Sequence, residues 1–436
     1  IATFWETLVH PQFYNLTLAL LPHLFLLGLI PCCLYQIQAL MVENIFMRAF
    51  SALVVALILY MLTQKSLRIN HSDKKIKKVT TTVTEEIMDK MLQSGDDVVD
   101  RILERSASLG VRRPIQYTNP ETYEHVQHLP EFQQLQKQLQ TIPHWVDHER
   151  IGKAAAFYRD NVALVFIGLS IGLVESYTFP EDAKILEISG GLVGVQGTIK
   201  RLTRTTQFAF DVVSSEGLPE YGTPAFNNIV NVRFIHALVR KRIKNHPEWK
   251  GSFIPVNQFA LAGTLMFFCQ TPIEMMKKRG IAVSPEECEA CWQLWRYVGY
   301  LLGMNEDIIP ETYEHGLRMK YHPLVLEKQR PTDISSRLAQ NTIAALEADP
   351  KIPFDKIAFY TALEQHIGKD LFSKLELPTP TLMSHIHYRL LNFWLSHIRF
   401  CDTWSSTLRN WKNYFFLRYL IGAGVIRATE DQKSHY

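Results

Sequence analysis

The chain has 436 residues, 47% of them apolar and 20% charged, which suits a globular protein with a large core and excludes a disordered one. Its 46 basic and 43 acidic residues leave a net charge of +3, too small to suggest a nucleic-acid partner. Six cysteines are too few for a disulfide framework at this length and suit a reducing compartment.

Residues 13–34 carry no charge and are long enough to cross a bilayer. Pro22 and Pro31 would kink that stretch, which membrane helices tolerate. A second apolar stretch, 45–62, is broken only by Arg48 and is followed by Lys65, Arg68, Lys74, Lys75, Lys77 and Lys78. Basic residues just after a span stay on the cytoplasmic side. The expectation is a two-helix membrane hairpin with the main body in the cytosol. The alternative is one span plus an interfacial helix.

Residues 84–104 repeat Ile87, Met91, Val98 and Ile102 on one side, which predicts an amphipathic helix. Residues 110–145, rich in Pro, Gln and His, read as an irregular arm. From Trp145 onward the pattern is helical, with helices expected over 199–213, 229–243, 258–276 and 285–302. The last has Ser284 as N-cap, Pro285 at N1, Glu287 at N3 and Gly303 as its stop. Cys288 and Cys291 form a lone CEAC inside it, read as helix packing. Trp292 follows, where a haem-attachment signal needs histidine. The tail 384–424, with Arg389, Arg399, Arg409 and Arg418, covers the core or lies against a membrane. With strand signals missing, the class is all-α.

The stretch NVRFIHALVRKRI, 231–243, raises a question of chemistry. At about 100° per residue, Val232, Val239, Ile229 and Ile243 lie within about 60° of His236, so the imidazole sits inside an apolar stripe. Arg233 and Arg240 fall together on one flank. Spacing alone favours a satisfied core histidine. Two arginines on that flank argue otherwise, because guanidinium is not buried without an anion. Carboxylates of the protein would serve. So would haem, whose iron takes an imidazole and whose two propionates take guanidinium partners. On the preceding helix Arg201, Arg204, Thr205 and Phe208 share one face. That face reads either as a solvated basic surface or as a polar lid whose donors hold a bound oxygen species.

Five blocks in order carry a resemblance: PHWVD at 143–147, RLTRTTQF at 201–208, VRFIHALVR at 232–240, PVNQFALAGTLMFF at 255–268 and WRYVGYLLG at 295–303. Together they resemble the family of haem b oxygenases that includes latex clearing protein (rubber oxygenase) and the fungal oxygenase MpaB. The resemblance spans roughly 143–330. It implies that His236 is the iron ligand and that Arg233 and Arg240 support its helix and the haem edge. It places Arg201, Arg204 and Thr205 on the opposite, catalytic side. Arg204 stands where the rubber oxygenase has lysine, and an arginine is a poor iron ligand. No clear equivalent of that enzyme's acidic base is present. Glu175 and Glu187 are the loose candidates.

The resemblance implies a multi-helix haem-binding domain with a globin-like helical core, a haem b cofactor, dioxygen and a lipophilic small-molecule substrate. The reaction implied is cleavage of a C=C bond in an isoprenoid-like chain. The expected layout is transmembrane segments over 1–70, a helical arm and linker over 71–142, the oxygenase core over 143–330, and a C-terminal helical region over 331–436. The endoplasmic reticulum is expected by analogy with the fungal member, and the mitochondrial inner membrane is the alternative. The competing reading is a non-catalytic haem or pseudo-haem subunit of a membrane complex, with partner subunits. A peroxidase-like activity ranks third.

Overall fold

A computed structural model describes residues 83–111, 115–190, 194–214, 218–348 and 355–392, all within one compact unit that begins at Val83. The hairpin expected over 13–62 and the tail beyond residue 392 lie outside the described residues. The described residues are helical, with no strand among them.

The first pair of helices, α1 (Glu85–Leu92) and α2 (Asp97–Ser108), replaces the single helix expected over 84–104. The break falls at Ser94 and Gly95, both poor in a helix interior. Asp96 then restarts the chain as an N-cap, its Oδ1 accepting from the Val99 amide at 3.3 Å. The arm expected to be irregular contains α3 (Pro120–Tyr123) and α4 (Pro130–Gln140). In α4 the glutamines mask an apolar face of Phe132, Leu135 and Leu139, all buried, and that face packs on α2.

Next come α5 (His148–Asp160), α6 (Val162–Ser176), α7 (Pro180–Ile188), α8 (Gly194–Ser214) and α9 (Pro224–Lys244). The helix expected over 199–213 is α8, and the one over 229–243 is α9. Both extend further toward their N-termini. Thr223 sets the start of α9 by capping the Phe226 amide, with Pro224 at N1.

The central helix is α10 (Gln258–Lys278), begun by Asn257, whose side chain accepts from the Ala260 amide at 2.9 Å. It is long and apolar enough to cross a bilayer, yet most of it is buried, as a core helix would be. It packs along α6 and against α11 (Pro285–Leu301). Pro272 inside it cannot donate to the Phe268 carbonyl one turn back. The Tyr158 hydroxyl donates to that carbonyl instead, at 3.3 Å, and accepts from Trp295 Nε1 at 2.7 Å. Helix α11 opens with the expected capping box of Ser284 and Glu287. Cys288 and Cys291 are buried within it.

The remaining helices are α12 (Tyr313–Lys320), α13 (Pro323–Leu326), α14 (Asp333–Ala348), α15 (Lys356–Ile367) and α16 (Lys369–Lys374), with residues 382–392 also helical. Two apolar cores result. One gathers α1, α2, α4, α5, α9, α10 and α11. The other gathers α6, α7, α14, α15 and α16 with Met275 of α10. Packing shows no seam at residue 142: Val99 and Leu135 share a core with Trp292 and Trp295.

Candidate functional site

Helix α9 carries His236, and the structure supplies carboxylates for the two arginines on its flank. Arg233, 2% exposed, donates from Nε to Asp96 Oδ2 at 2.6 Å and from Nη2 to Asp96 Oδ1 at 3.0 Å. Its remaining donors reach Gln138 Oε1 and the Leu301 carbonyl. Arg240, 4% exposed, donates from Nε to Asp100 Oδ2 at 2.8 Å and from Nη1 to the Val256 carbonyl at 2.6 Å. At this flank both guanidiniums are paired with protein carboxylates, which tie α9 to α2.

Small residues make room for these pairs. Gly303 has φ +85, and a Cβ there would lie 2.5 Å from Asp96 Oδ2 and 2.6 Å from Arg233 Nε. A Cβ on Gly95 would lie 2.9 Å from Arg240 Nε. Gln258 ties both glycines down, donating to the carbonyls of Gly95 (2.6 Å) and Gly303 (3.2 Å). Val256, which offers its carbonyl to Arg240, is held at φ +50, an outlier for a β-branched residue.

His236 sits between these pairs, one turn from each arginine. The ring is half-buried, and its Nδ1 is buried with no hydrogen-bond partner. Burial first, then the Arg240 and Arg201 guanidiniums, push the imidazole down to about 4, against an opposing pull from Asp96. The ring is neutral at pH 7, the form that can ligate a metal.

Helix α8 packs beside α9. Asp211 joins them, accepting from Gln207 at 2.6 Å and from Asn228 of α9 at 2.8 Å. Of the face expected from sequence, Arg201 and Thr205 are half-buried and Arg204 is exposed. Arg201 lies close enough to bear on His236. Burial depresses its proton affinity, opposed by the Tyr177 phenol, and no carboxylate pairs with it among the described residues. Phe208 faces the core, edge-on to Phe268 at 6.2 Å.

The two acidic candidates for a base fall elsewhere. Glu187 pairs with Lys184 at 2.9 Å and with Arg337 near the surface. Glu175 belongs to a buried ionic cluster joining α6, α10, α12 and α15. It accepts from Thr271 at 3.0 Å and meets His366 Nε2 at 2.8 Å and Lys320 Nζ at 3.5 Å. Lys320 also meets Glu274 at 2.8 Å, which the Tyr321 hydroxyl caps. Burial raises the Glu175 carboxyl, but Lys320 and His366 outweigh it and lower it to about 2. Such a carboxylate stays ionised and is a weak base. Beside this cluster lies a small cleft whose walls include Phe179, Phe259, Met266 and Phe267. Asp182 also lines it, and burial, helped by Glu181, raises its carboxyl to about 7.

Asp96, Asp100 and Lys320 were not singled out in the sequence. The first two had a readable signal. Two buried arginines at i−3 and i+4 of one histidine require two carboxylates, and the SGDDVVD run at 94–100 holds acids at a helix start. Lys320 has no local signature, because its partners Glu175, Thr271 and Glu274 come from two other helices, α6 and α10.

Among the described residues no three His, Cys, Asp or Glu side chains cluster to hold a metal. The donor set at His236 is a single imidazole with an unsatisfied buried nitrogen, beside a desolvated guanidinium. It fits a metal that brings most of its own donors, as porphyrin iron does.

Residues 159–394, more than half the chain, match the family described as ER-bound oxygenase mpaB/B'/rubber oxygenase, catalytic domain, and the chain belongs to that family. A rubber oxygenase of Streptomyces sp. (strain K30) is 24% identical over 179 residues, which is 40% of this chain and 43% of that protein. The aligned part thus spans less than half of that relative's length. The solved structure of latex clearing protein LCP in the closed state shares the fold, with a TM-score of 0.54 at 17% identity, over 78% of this chain and 85% of that one.

Proposed function

We propose that this chain is a haem b oxygenase that uses dioxygen to cleave a carbon–carbon double bond in a lipophilic, isoprenoid-like substrate. Both oxygen atoms end in the products, one on each new carbonyl. Membership of the rubber oxygenase and MpaB family supports the reaction class. The observation that carries the cofactor reading is His236: a neutral imidazole with a buried Nδ1 that no group among the described residues satisfies.

Haem, when bound, supplies an iron that activates dioxygen. The chain's own residues would do the rest. His236 would hold the iron. The Asp96–Arg233 and Asp100–Arg240 pairs fix the depth and rotation of its helix. Arg201, desolvated and with no carboxylate beside it among the described residues, would take an anion, and Thr205 one turn on would offer a hydroxyl. Arg204 would add positive charge but no iron ligand, since arginine does not deprotonate. The residues that wall the site would keep water from the substrate.

We place the protein at a membrane through the apolar segments 13–34 and 45–62, with the main body cytosolic. The endoplasmic reticulum is the first expectation and the mitochondrial inner membrane the second. A lipophilic substrate that partitions into the bilayer suits such an anchor.

The test is the absorption spectrum of the full-length protein purified from haem-supplemented cells. A strong Soret band that His236→Ala abolishes, with dioxygen uptake on adding a polyprenyl chain, is expected. A colourless protein overturns the haem reading. A haem-loaded protein that consumes no dioxygen with any polyprenyl chain overturns the oxygenase reading.

A further inference from the structure

The structure assigns Asp96 and Asp100 as positioning residues of the His236 site, setting both the aim of the imidazole and the charge around it. Both lie outside residues 159–394, the part of the chain that matches the catalytic domain of the family. The inference rests on the haem reading of His236.

The geometry is reciprocal. Asp96 Oδ1 accepts from the Val99 amide at the start of α2 and from Arg233 Nη2 at 3.0 Å, so one carboxylate joins the N-terminus of α2 to α9. Asp100, one turn along α2, holds Arg240 with both oxygens, at 3.1 and 2.8 Å. The two arginines lie one turn before and one turn after His236 on α9. Together the pairs fix α9 at two points either side of the histidine, so it can neither roll nor slide against α2. A single pair would leave rotation about that contact.

Charge follows from the same contacts. Both guanidiniums are nearly solvent-free, Arg240 bears directly on the imidazole, and so does Asp96, the partner of Arg233. Without their aspartates they would add uncompensated positive charge beside the iron ligand, in a setting where solvent screens weakly. Ferric haem, with one more positive charge than ferrous haem, would be disfavoured. Asp96 and Asp100 therefore hold the iron toward its oxidised state, a task apart from holding the fold.

The test is a redox titration of the haem-loaded full chain, comparing wild type with Asp96→Asn and Asp100→Asn. Asp100 is 31% exposed, so its variant is the one expected to fold without difficulty. The ratio of ferric to ferrous protein at a fixed potential is expected to fall several-fold in each. The paired changes Asp96→Asn with Arg233→Gln, and Asp100→Asn with Arg240→Gln, remove both charges and should return the ratio toward wild type. A packing defect would not be repaired that way. An unchanged ratio in Asp100→Asn, or a paired variant that stays shifted, overturns the inference while leaving the haem reading intact. A wild-type chain that takes up no haem overturns that reading and the inference with it.

Discussion

Gly303 and Gly110 form a matched pair. Each is the residue just past a helix end and closes it in the same way. After α11 the Met304 amide reaches the Gly299 carbonyl and the Gly303 amide reaches Tyr300. After α2 the Val111 amide reaches Ser106 and the Gly110 amide reaches Ala107. Both are the double bond of a Schellman motif, and both need positive φ, +85 and +76. Only their surroundings differ. A Cβ on Gly110 meets nothing within 4 Å, while one on Gly303 falls on the Asp96–Arg233 pair. Gly110→Ala should thus cost only the left-handed backbone term, about 1–2 kcal/mol. Gly303→Ala should cost that plus much of the about 3–5 kcal/mol of a broken buried ion pair. The sum, about 4–7 kcal/mol, is comparable to the whole stability of an ordinary domain. Urea denaturation of the two variants measures the difference. Adding Asp96→Asn to each adds a double-mutant cycle, in which the second change should cost far less on the Gly303→Ala background than on Gly110→Ala. Equal losses for the two alanines, or full additivity at Gly303, would refute the claim that the glycine exists to clear the ion pair.

Other outcomes follow from the ionic groups. Lys320→Met leaves Glu175 and Glu274 buried without their cation and should destabilise by about 3–5 kcal/mol near neutral pH. Glu175, held near 2 when folded, contributes stability above its ordinary value near 4.5 and loses it as pH falls toward 2. The gap between wild type and Lys320→Met in thermal melts should therefore narrow as pH drops through that window. Asp182 has the opposite sign. Its folded value near 7 lies above the ordinary 3.8, so its contribution is intact below about 4 and lost as pH rises through 7. Asp182→Asn should raise the melting temperature more at pH 8 than at pH 5, and an equal shift at both would count against a buried carboxyl there.

Helices with strong local punctuation were legible from sequence. Ser284 with Glu287 and the long apolar run of α10 each declare an element from local residues, while the Thr223 cap that starts α9 at Pro224 went unread and the helix was expected only from 229. The fold class followed from helical patterning with strand signals missing, and the family resemblance from the five ordered blocks between residues 143 and 303. Where local pattern and packing disagree, the sequence misleads. The 84–104 segment keeps one amphipathic stripe across a break, so only Gly95 and Asp96 betray that it is two helices. The glutamines of α4 hide Phe132, Leu135 and Leu139, because composition averages away a seven-residue spacing. At the site, spacing pointed to His236 and to an anion for its arginines, protein or cofactor, and the resemblance implied that this anion was the haem edge. In the structure Asp96 and Asp100 pair with Arg233 and Arg240. They were hard to see because charge pairing between distant segments leaves no periodicity in either one.

Val256 carries a consequence for how this region comes apart. A β-branched residue at φ +50 stores strain of about 1–3 kcal/mol, and here the hydrogen bond from Arg240 helps to hold it. Whatever pulls Arg240 away removes that restraint and lets the backbone at Pro255 and Val256 relax toward an extended form. Relaxation withdraws the carbonyl, so Arg240 has less to return to. The turn leading into α10 and the second half of α9 are thereby coupled: each is stable only while the other is in place, and they open as one cooperative unit rather than as a fraying loop beside a fixed helix.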